Sequence, residues 1–398
     1  MQVKKISGSF GSFALAATAV FAQTINYAFS ESFSTSRLGA VLLVLILLHL
    51  LRFPRLIIYR ELALYSIFVG YMVIALLWTD DIHLAMNTLT PAFNFIFLLI
   101  LFGGLVAYHD LRAVFAGTFS GFLIGAIVYT LMTGFPFVRP FDISYNAVGT
   151  VYLFGLFITL TLGWFTGATA WIASIGTVIW IHIVATTSIK ANLGVLLGAA
   201  AASLAYFKYF ARGLRRSAIP LLVIVLAIVL AVASDDSLVK MFERGVDRVT
   251  LGIEIMRAGI DLPGYSGFEE RIWWTKRAID GWAKHPLFGN GIEAFRSDYG
   301  ITSHSSPNDL LYNTGLTGLL LFYGVLVSLG WRVLRACKDS PVGLRALTLG
   351  ALVCFLVMLP AGNLFYSGYL AIIIAISAVL LDRNPWSAAP AHASLDSQ

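Results

Sequence analysis

Apolar runs long enough to cross a bilayer recur along almost the whole chain, and no other feature restricts its fold as strongly. A helix needs about 20 apolar residues to span hydrocarbon. Such runs lie near 11–29, 38–51, 62–79, 86–107, 113–132, 147–165, 169–185, 191–207, 217–233, 314–331, 346–362 and 364–381. With 58% hydrophobic and only 12% charged residues among 398, the chain has too little polar surface to cover a water-soluble globule. The expectation is an all-α, polytopic transmembrane protein of about twelve spans.

Basic residues should concentrate in cytoplasmic loops. With Lys4 and Lys5 inside, the inner loops receive Arg52, Arg55, Arg60, Arg112, Lys208, Arg212, Arg215, Arg216, Arg332, Arg335, Lys338, Arg345 and Arg383. Short outer loops hold only Arg37, Arg139 and Lys190. Both termini are therefore expected in the cytoplasm, and the net charge of +6 is a topology signal. A nucleic-acid partner would need those charges gathered on one soluble domain, so none is expected. Cys337 in an inner loop and Cys354 in a span face no oxidising compartment and suit no disulfide framework. The first span ends in small residues at Ala22 and could pass for a signal peptide, whose cleavage would leave the later orientations unchanged.

No repeat or low-complexity tract divides the chain, so residues 1–398 read as a single membrane domain with a disordered cytoplasmic tail at 383–398. The one long loop, 234–307, lies outside between the ninth and tenth spans and holds nine of the Lys and Arg residues. Two amphipathic helices are expected in it. The first runs near Asp235–Arg257, with Leu238, Met241, Phe242, Val249 and Ile253 on one side. The second starts from a capping box, Ser266 with Glu269, and aligns Phe268, Ile272, Thr275, Ile279 and Trp282 in one stripe. Trp273, Trp274 and Trp282 suit a membrane interface, and taken alone this helix needs no role beyond lying on lipid headgroups.

The chain re-enters the membrane through Thr302-Ser-His-Ser-Ser-Pro-Asn-Asp-Leu-Leu-Tyr312. Ser306 fits an N-cap, Pro307 the first helical position and Asp309 the third. His304 then stands two residues ahead of a helix N-terminus, whose partial positive charge disfavours the imidazolium. A neutral histidine there can accept a proton from a substrate hydroxyl, although an isolated histidine is more often a structural hydrogen-bonder. Asp80-Asp81 and Asp235-Asp236 could ligate a cation, but topology explains them as acidic residues left outside. No HExxH, P-loop or cysteine-rich metal spacing occurs, so neither a metal nor a cofactor is expected.

The ordered pattern Arg271-x-x-Trp274, then His285-Pro-Leu-Phe-Gly-Asn-Gly291, then His304 with Gly315 and Gly318 behind it, resembles the signature of the O-antigen ligase and polymerase superfamily. Thr187-Ser-Ile-Lys-Ala191 is similar to that family's Ser-Arg segment, with Lys190 in the basic position. Ser305 stands where the family usually has Asn, Pro307 replaces a frequent Tyr, and Asn313 a frequent acidic residue. The resemblance implies a bacterial inner-membrane glycosyltransferase working at the periplasmic face. It would move a glycan from undecaprenyl diphosphate to a sugar hydroxyl of a lipid A core (ligase) or of a carrier-linked repeat (polymerase). Fixed cations Arg271 and Lys190 would take the diphosphate charge without a metal, and His304 would act as base. His182, Trp274, Ser305 and Asn308 are supporting candidates. Arg248 and Gly259 match an Arg-x10-Gly pattern of polymerases, for which 35 glycines make chance a sufficient explanation. A secondary transporter is the rival of another class, but it would place ionisable groups at mid-membrane, where the expected spans carry almost none.

Overall fold

A computed structural model describes residues 9–28, 34–133, 145–166, 179, 189–205, 268–336, 342–362 and 364–382. These residues form twelve α-helices and no strand: α1 (Ser9–Ala28), α2 (Thr35–Arg52), α3 (Arg60–Ala75), α4 (Ile82–Tyr108), α5 (Leu111–Thr133), α6 (Tyr145–Thr166), α7 (Ile189–Ala205), α8 (Phe268–Trp282), α9 (Ala294–Tyr299), α10 (Ser306–Arg335), α11 (Val342–Met358) and α12 (Gly368–Asp382). The chain is a multi-pass, membrane-embedded helical protein, but the expectation of about twelve spans is wrong. Among the described residues five helical stretches are long and apolar enough to cross: Thr35–Arg52, Arg60–Trp78, Ile82–Tyr108, Leu111–Tyr129 and Ser306–Arg335.

The run near 364–381 becomes helical only at Gly368 and so gives a helix of 15 residues. An apolar run reports exclusion from water without saying whether lipid or protein surrounds it. In α12 every residue from Gly368 to Leu380 is buried, because α3, α4, α6, α10 and α11 enclose it. In α1 the apolar run gives way to Gln23, Thr24 and Asn26, which are buried against neighbouring helices. Helices α7 (Ile189–Ala205) and α11 (Val342–Met358) have 17 described residues each. The runs near 169–185 and 217–233, the helix near Asp235–Arg257, the Ser266 cap and the 383–398 tail lie outside the described residues, but for Ile179.

Glycines bring the helices into close contact. Along α5, Gly117, Gly121 and Gly125 recur every fourth residue, and a Cβ on the first two would lie 2.3 Å from the carbonyl oxygens of Phe13 and Ala17 on α1. Gly194 and Gly198 of α7 meet α11 in the same way, and the Cys354 thiol there donates to the Gly194 carbonyl at 2.9 Å. Small residues at a four-residue spacing are how membrane helices gain van der Waals contact where lipid offers no hydrophobic drive.

Side-chain ties mark two ends of the bundle. At one, the wholly buried Glu61 that begins α3 binds Arg332 near the end of α10 at 2.5 Å and accepts from Ser328 at 3.0 Å. Arg332 also donates to Asp382 and to the Ala378 carbonyl, so one guanidinium joins α3, α10 and α12. Removing one partner of such a pair costs about 3–5 kcal/mol, since the other charge stays buried. Also at this end the Ser12 hydroxyl meets His109 Nδ1 at 2.5 Å, and His109 Nε2 meets His49 Nδ1 at 3.2 Å. Burial, then His49 and Arg52, push the His109 pKa down to about 4 from an ordinary 6.5. The folded chain thus favours neutral His109, and this contribution is complete above pH 6.5 and lost as pH falls toward about 4. A thermal midpoint in detergent that drops across that window for the wild type, and less for His109→Gln, is the expected result.

Candidate active site

The opposite end is dominated by a break in α10. Gly315 adopts φ 64° and ψ −165°, conformations closed to residues with a side chain, so the intrahelical bonds from 316 to 312 and from 317 to 313 cannot form. The loop after α8 takes their place, group for group. Asn290 N donates to Tyr312 O (2.9 Å) and Gly291 N to Asn313 O (3.0 Å), while Leu316 N donates to Pro286 O (2.9 Å) and Thr317 N to Leu287 O (3.1 Å). Tyr71 of α3 adds its hydroxyl to Thr314 O (2.9 Å) and Phe288 O (3.0 Å). Every one of these groups would cost free energy if left unpaired near hydrocarbon. The His285–Gly291 motif is therefore a splice into a broken helix. Its glycines are needed for contact, because a Cβ on Gly289 would stand 2.5 Å from Gly315 N, and one on Gly315 2.5 Å from Leu287 O.

Helix α8 rests on this joint through Trp274, Ala278 and Gly281. Ala278 is buried, and a Cβ on Gly281 would collide with the Tyr312 ring at 1.9 Å. The expected stripe therefore needs correction: Ile279 is 48% exposed, and Thr275 and Trp282 are half-buried at its flank. Alternating apolar and small residues leave two faces plausible by period alone, and close approach to Tyr312 decides between them. Aromatic rings fill the interior of this unit, with Phe295 of α9 edge-on to Trp274 (5.7 Å) and Tyr312 (5.1 Å), and Tyr299 5.8 Å from Trp274.

His304 stands at the start of α10, exposed, in the left-handed region at φ 56°. Its neighbours hold the turn. Ser303 N donates to Asp309 Oδ1 (3.0 Å), Ser303 Oγ to Ser305 O (3.1 Å), and Asp309 N to Ser305 O (2.9 Å). The N-cap is Ser305 rather than Ser306, and its hydroxyl makes no cap bond. Ser306 instead donates to Gly362 O (2.5 Å) and accepts from Leu364 N (2.8 Å), tying the turn to the connection before α12. Exposed imidazole and buried serines together make this turn a mount for the ring.

Arg271 lies half-buried on α8, and Trp274 half-buried one turn further on. The Arg271 helix and the His304 turn are joined by a short relay: the Asn308 amide donates to Thr275 Oγ1 (2.8 Å), and Thr275 Oγ1 donates to Arg271 O (2.7 Å). Lys190 falls in the first turn of α7, and His182 lies outside the described residues. Asn313 accepts Phe295 N at 2.9 Å and so anchors α9. Asp81 caps α4 by accepting Leu84 N at 2.9 Å, Asp235 and Asp236 lie outside the described residues, and no group of three or more His, Cys, Asp or Glu among the described residues could hold a metal.

Sequence reasoning misses Glu293. Its side chain is buried, its backbone sits at φ 60°, and its carboxylate accepts from the Thr88 hydroxyl of α4. Burial pushes its pKa up, against the opposing influence of Thr88 and Arg296. The only sequence signal is position, an acidic residue two places after a glycine-rich turn. No protein-family model matches the chain, and no curated protein matches it.

Proposed function

We propose that this protein is a membrane glycosyltransferase that moves a glycan from undecaprenyl diphosphate to an acceptor sugar hydroxyl at the periplasmic face of a bacterial inner membrane. The acceptor oxygen attacks the anomeric carbon, its proton passes to His304, and the carbon–oxygen bond to phosphate breaks with the electron pair leaving on the diphosphate. Displacement from the far side inverts the anomeric configuration. Arg271 and Lys190 meet the departing charge with fixed cations, which costs little reorganisation at the moment of reaction.

The observation that carries this reading is the Asn308–Thr275 bond, which ties the helix bearing Arg271 to the turn bearing an exposed His304. A cation and a base on two tied elements at one end of a membrane bundle suit a reaction between a lipid-borne diphosphate and a water-borne hydroxyl. A periplasmic site is supported by the other end, where Arg52, Arg55, Arg60, Arg112, Arg332, Arg335 and Arg345 gather as cytoplasmic loops tend to. The sequence resemblance adds the substrate class. The break in α10 does not favour a transporter, because its freed backbone groups are taken by the 286–291 loop rather than left for an ion.

Deleting the gene in a host without a second such enzyme, and resolving its surface polysaccharide by gel, tests the reading. Loss of a ligase leaves bare core with polymer retained on the carrier, and loss of a polymerase leaves a single capped repeat. Unchanged polysaccharide overturns the assignment. Complementation with Arg271→Ala should restore far less polysaccharide than the wild-type gene.

A further inference from the structure

Among the described residues, two that are not glycine hold positive φ, His304 at 56° and Glu293 at 60°. Both are titratable, and they bracket α9. Histidine visits the left-handed region comparatively often, whereas a glutamate there is unusual and persists only where its surroundings dictate it. The proposed reaction makes no use of Glu293.

What holds it is a series of ties to different elements. Gly291 N donates to Asn313 O in α10 (3.0 Å), Ile292 N to Thr79 Oγ1 in the connection from α3 to α4 (2.9 Å), and the Glu293 carboxylate accepts from Thr88 in the second turn of α4. Behind it, Glu293 O accepts Ser297 N (2.9 Å) and opens α9. Glu293 is 7% exposed and Thr88 5%. The chain thus keeps a buried carboxyl group on a backbone strained at φ 60°, the pattern expected where location matters more than stability.

Resting on the reading above, we propose that Glu293 is a positioning residue: its bond to Thr88 fastens the unit of α8, α9 and the His304 turn to span α4, and so sets the register between that unit and a diphosphate lying at the membrane. The parts of the unit are tied to one another, because Phe295 and Tyr299 pack on Trp274, Phe295 N is held by Asn313, and Asn308 is bonded to Thr275. Its fastening to α4 therefore acts on Arg271 and His304 together without touching substrate.

The test uses the full chain in lipid nanodiscs, with the glycan-loaded undecaprenyl diphosphate that accumulates in a deletion strain and the host's own acceptor. Glu293→Gly removes the tie and relieves the backbone, so kcat should fall at least tenfold while the thermal midpoint holds or rises. Glu293→Gln keeps an oxygen for the Thr88 hydroxyl and should retain most of the rate. Thr88→Val should repeat the loss, and the double variant Thr88→Val with Glu293→Gly should be no slower than either single one. Full activity in Glu293→Gly overturns the proposal, as does a loss that merely tracks the unfolded fraction, or losses that multiply in the double variant. A wild type without transfer activity, or full activity in His304→Ala, overturns the underlying reading instead. Dependence on His304 with indifference to Glu293 overturns the positioning role alone.

Discussion

Alanine in place of His304 should leave the chain folded and lower transfer by about 10²–10⁴-fold, the range a positioned general base supplies. The fold is spared because the turn is held by its neighbours. Ser303, Asp309 and the bonds of Ser306 to Gly362 and Leu364 all survive the change. Alanine does pay about 1–2 kcal/mol for the left-handed backbone that His304 adopts at φ 56°. His304→Asn controls for that cost, since asparagine tolerates the conformation and lacks a comparable base. Initial rates in nanodiscs, set beside thermal midpoints, separate chemistry from folding. A His304→Asn protein within twofold of the wild-type rate would remove the base from the mechanism.

Gly315→Ala should have the largest effect on folding. At φ 64° and ψ −165° the residue occupies a region open to glycine alone, and the new methyl group would lie 2.5 Å from Leu287 O. Strain and collision together should cost about 3 kcal/mol or more, a large share of the stability of most domains. The splice between the 286–291 loop and α10 then opens, and its four backbone hydrogen bonds are lost at once. Gly289→Ala attacks the same contact from the other side, so the pair should fall well short of additive. Limited proteolysis between Ala283 and Ser305 reads this directly. Wild-type resistance in Gly315→Ala would mean that the break is not needed.

The features legible in the sequence are those set by composition over many residues. Helices α2 to α5 and α10 follow from long apolar runs, and Asp309 falls in the first turn of α10 as its place after Pro307 suggests. The number of spans is not legible, because an apolar run does not mark where its helix begins; at α12 the run opens at Leu364 but the helix only at Gly368. The packed face of α8 is hidden for a different reason. Ala278 and Gly281 carry little hydrophobicity, yet their smallness lets Tyr312 approach. A glycine-rich motif announces itself, but its role as a splice depends on a conformation at Gly315 some twenty-five residues away. Glu293 gives no periodic or compositional signal, since its environment is assembled from α4, α9 and α10.

The position of α12 has a consequence for how the molecule is made. The helices that enclose it, α3, α4, α6, α10 and α11, all precede it in the chain and are synthesised first. Until Gly368–Leu380 is made, the faces they turn toward it lack that partner. The loop that closes the break in α10, by contrast, is separated from its partner only by α9 and the His304 turn. Among the described helices the last in the chain is thus one of the most enclosed, and its burial must wait for all of its neighbours.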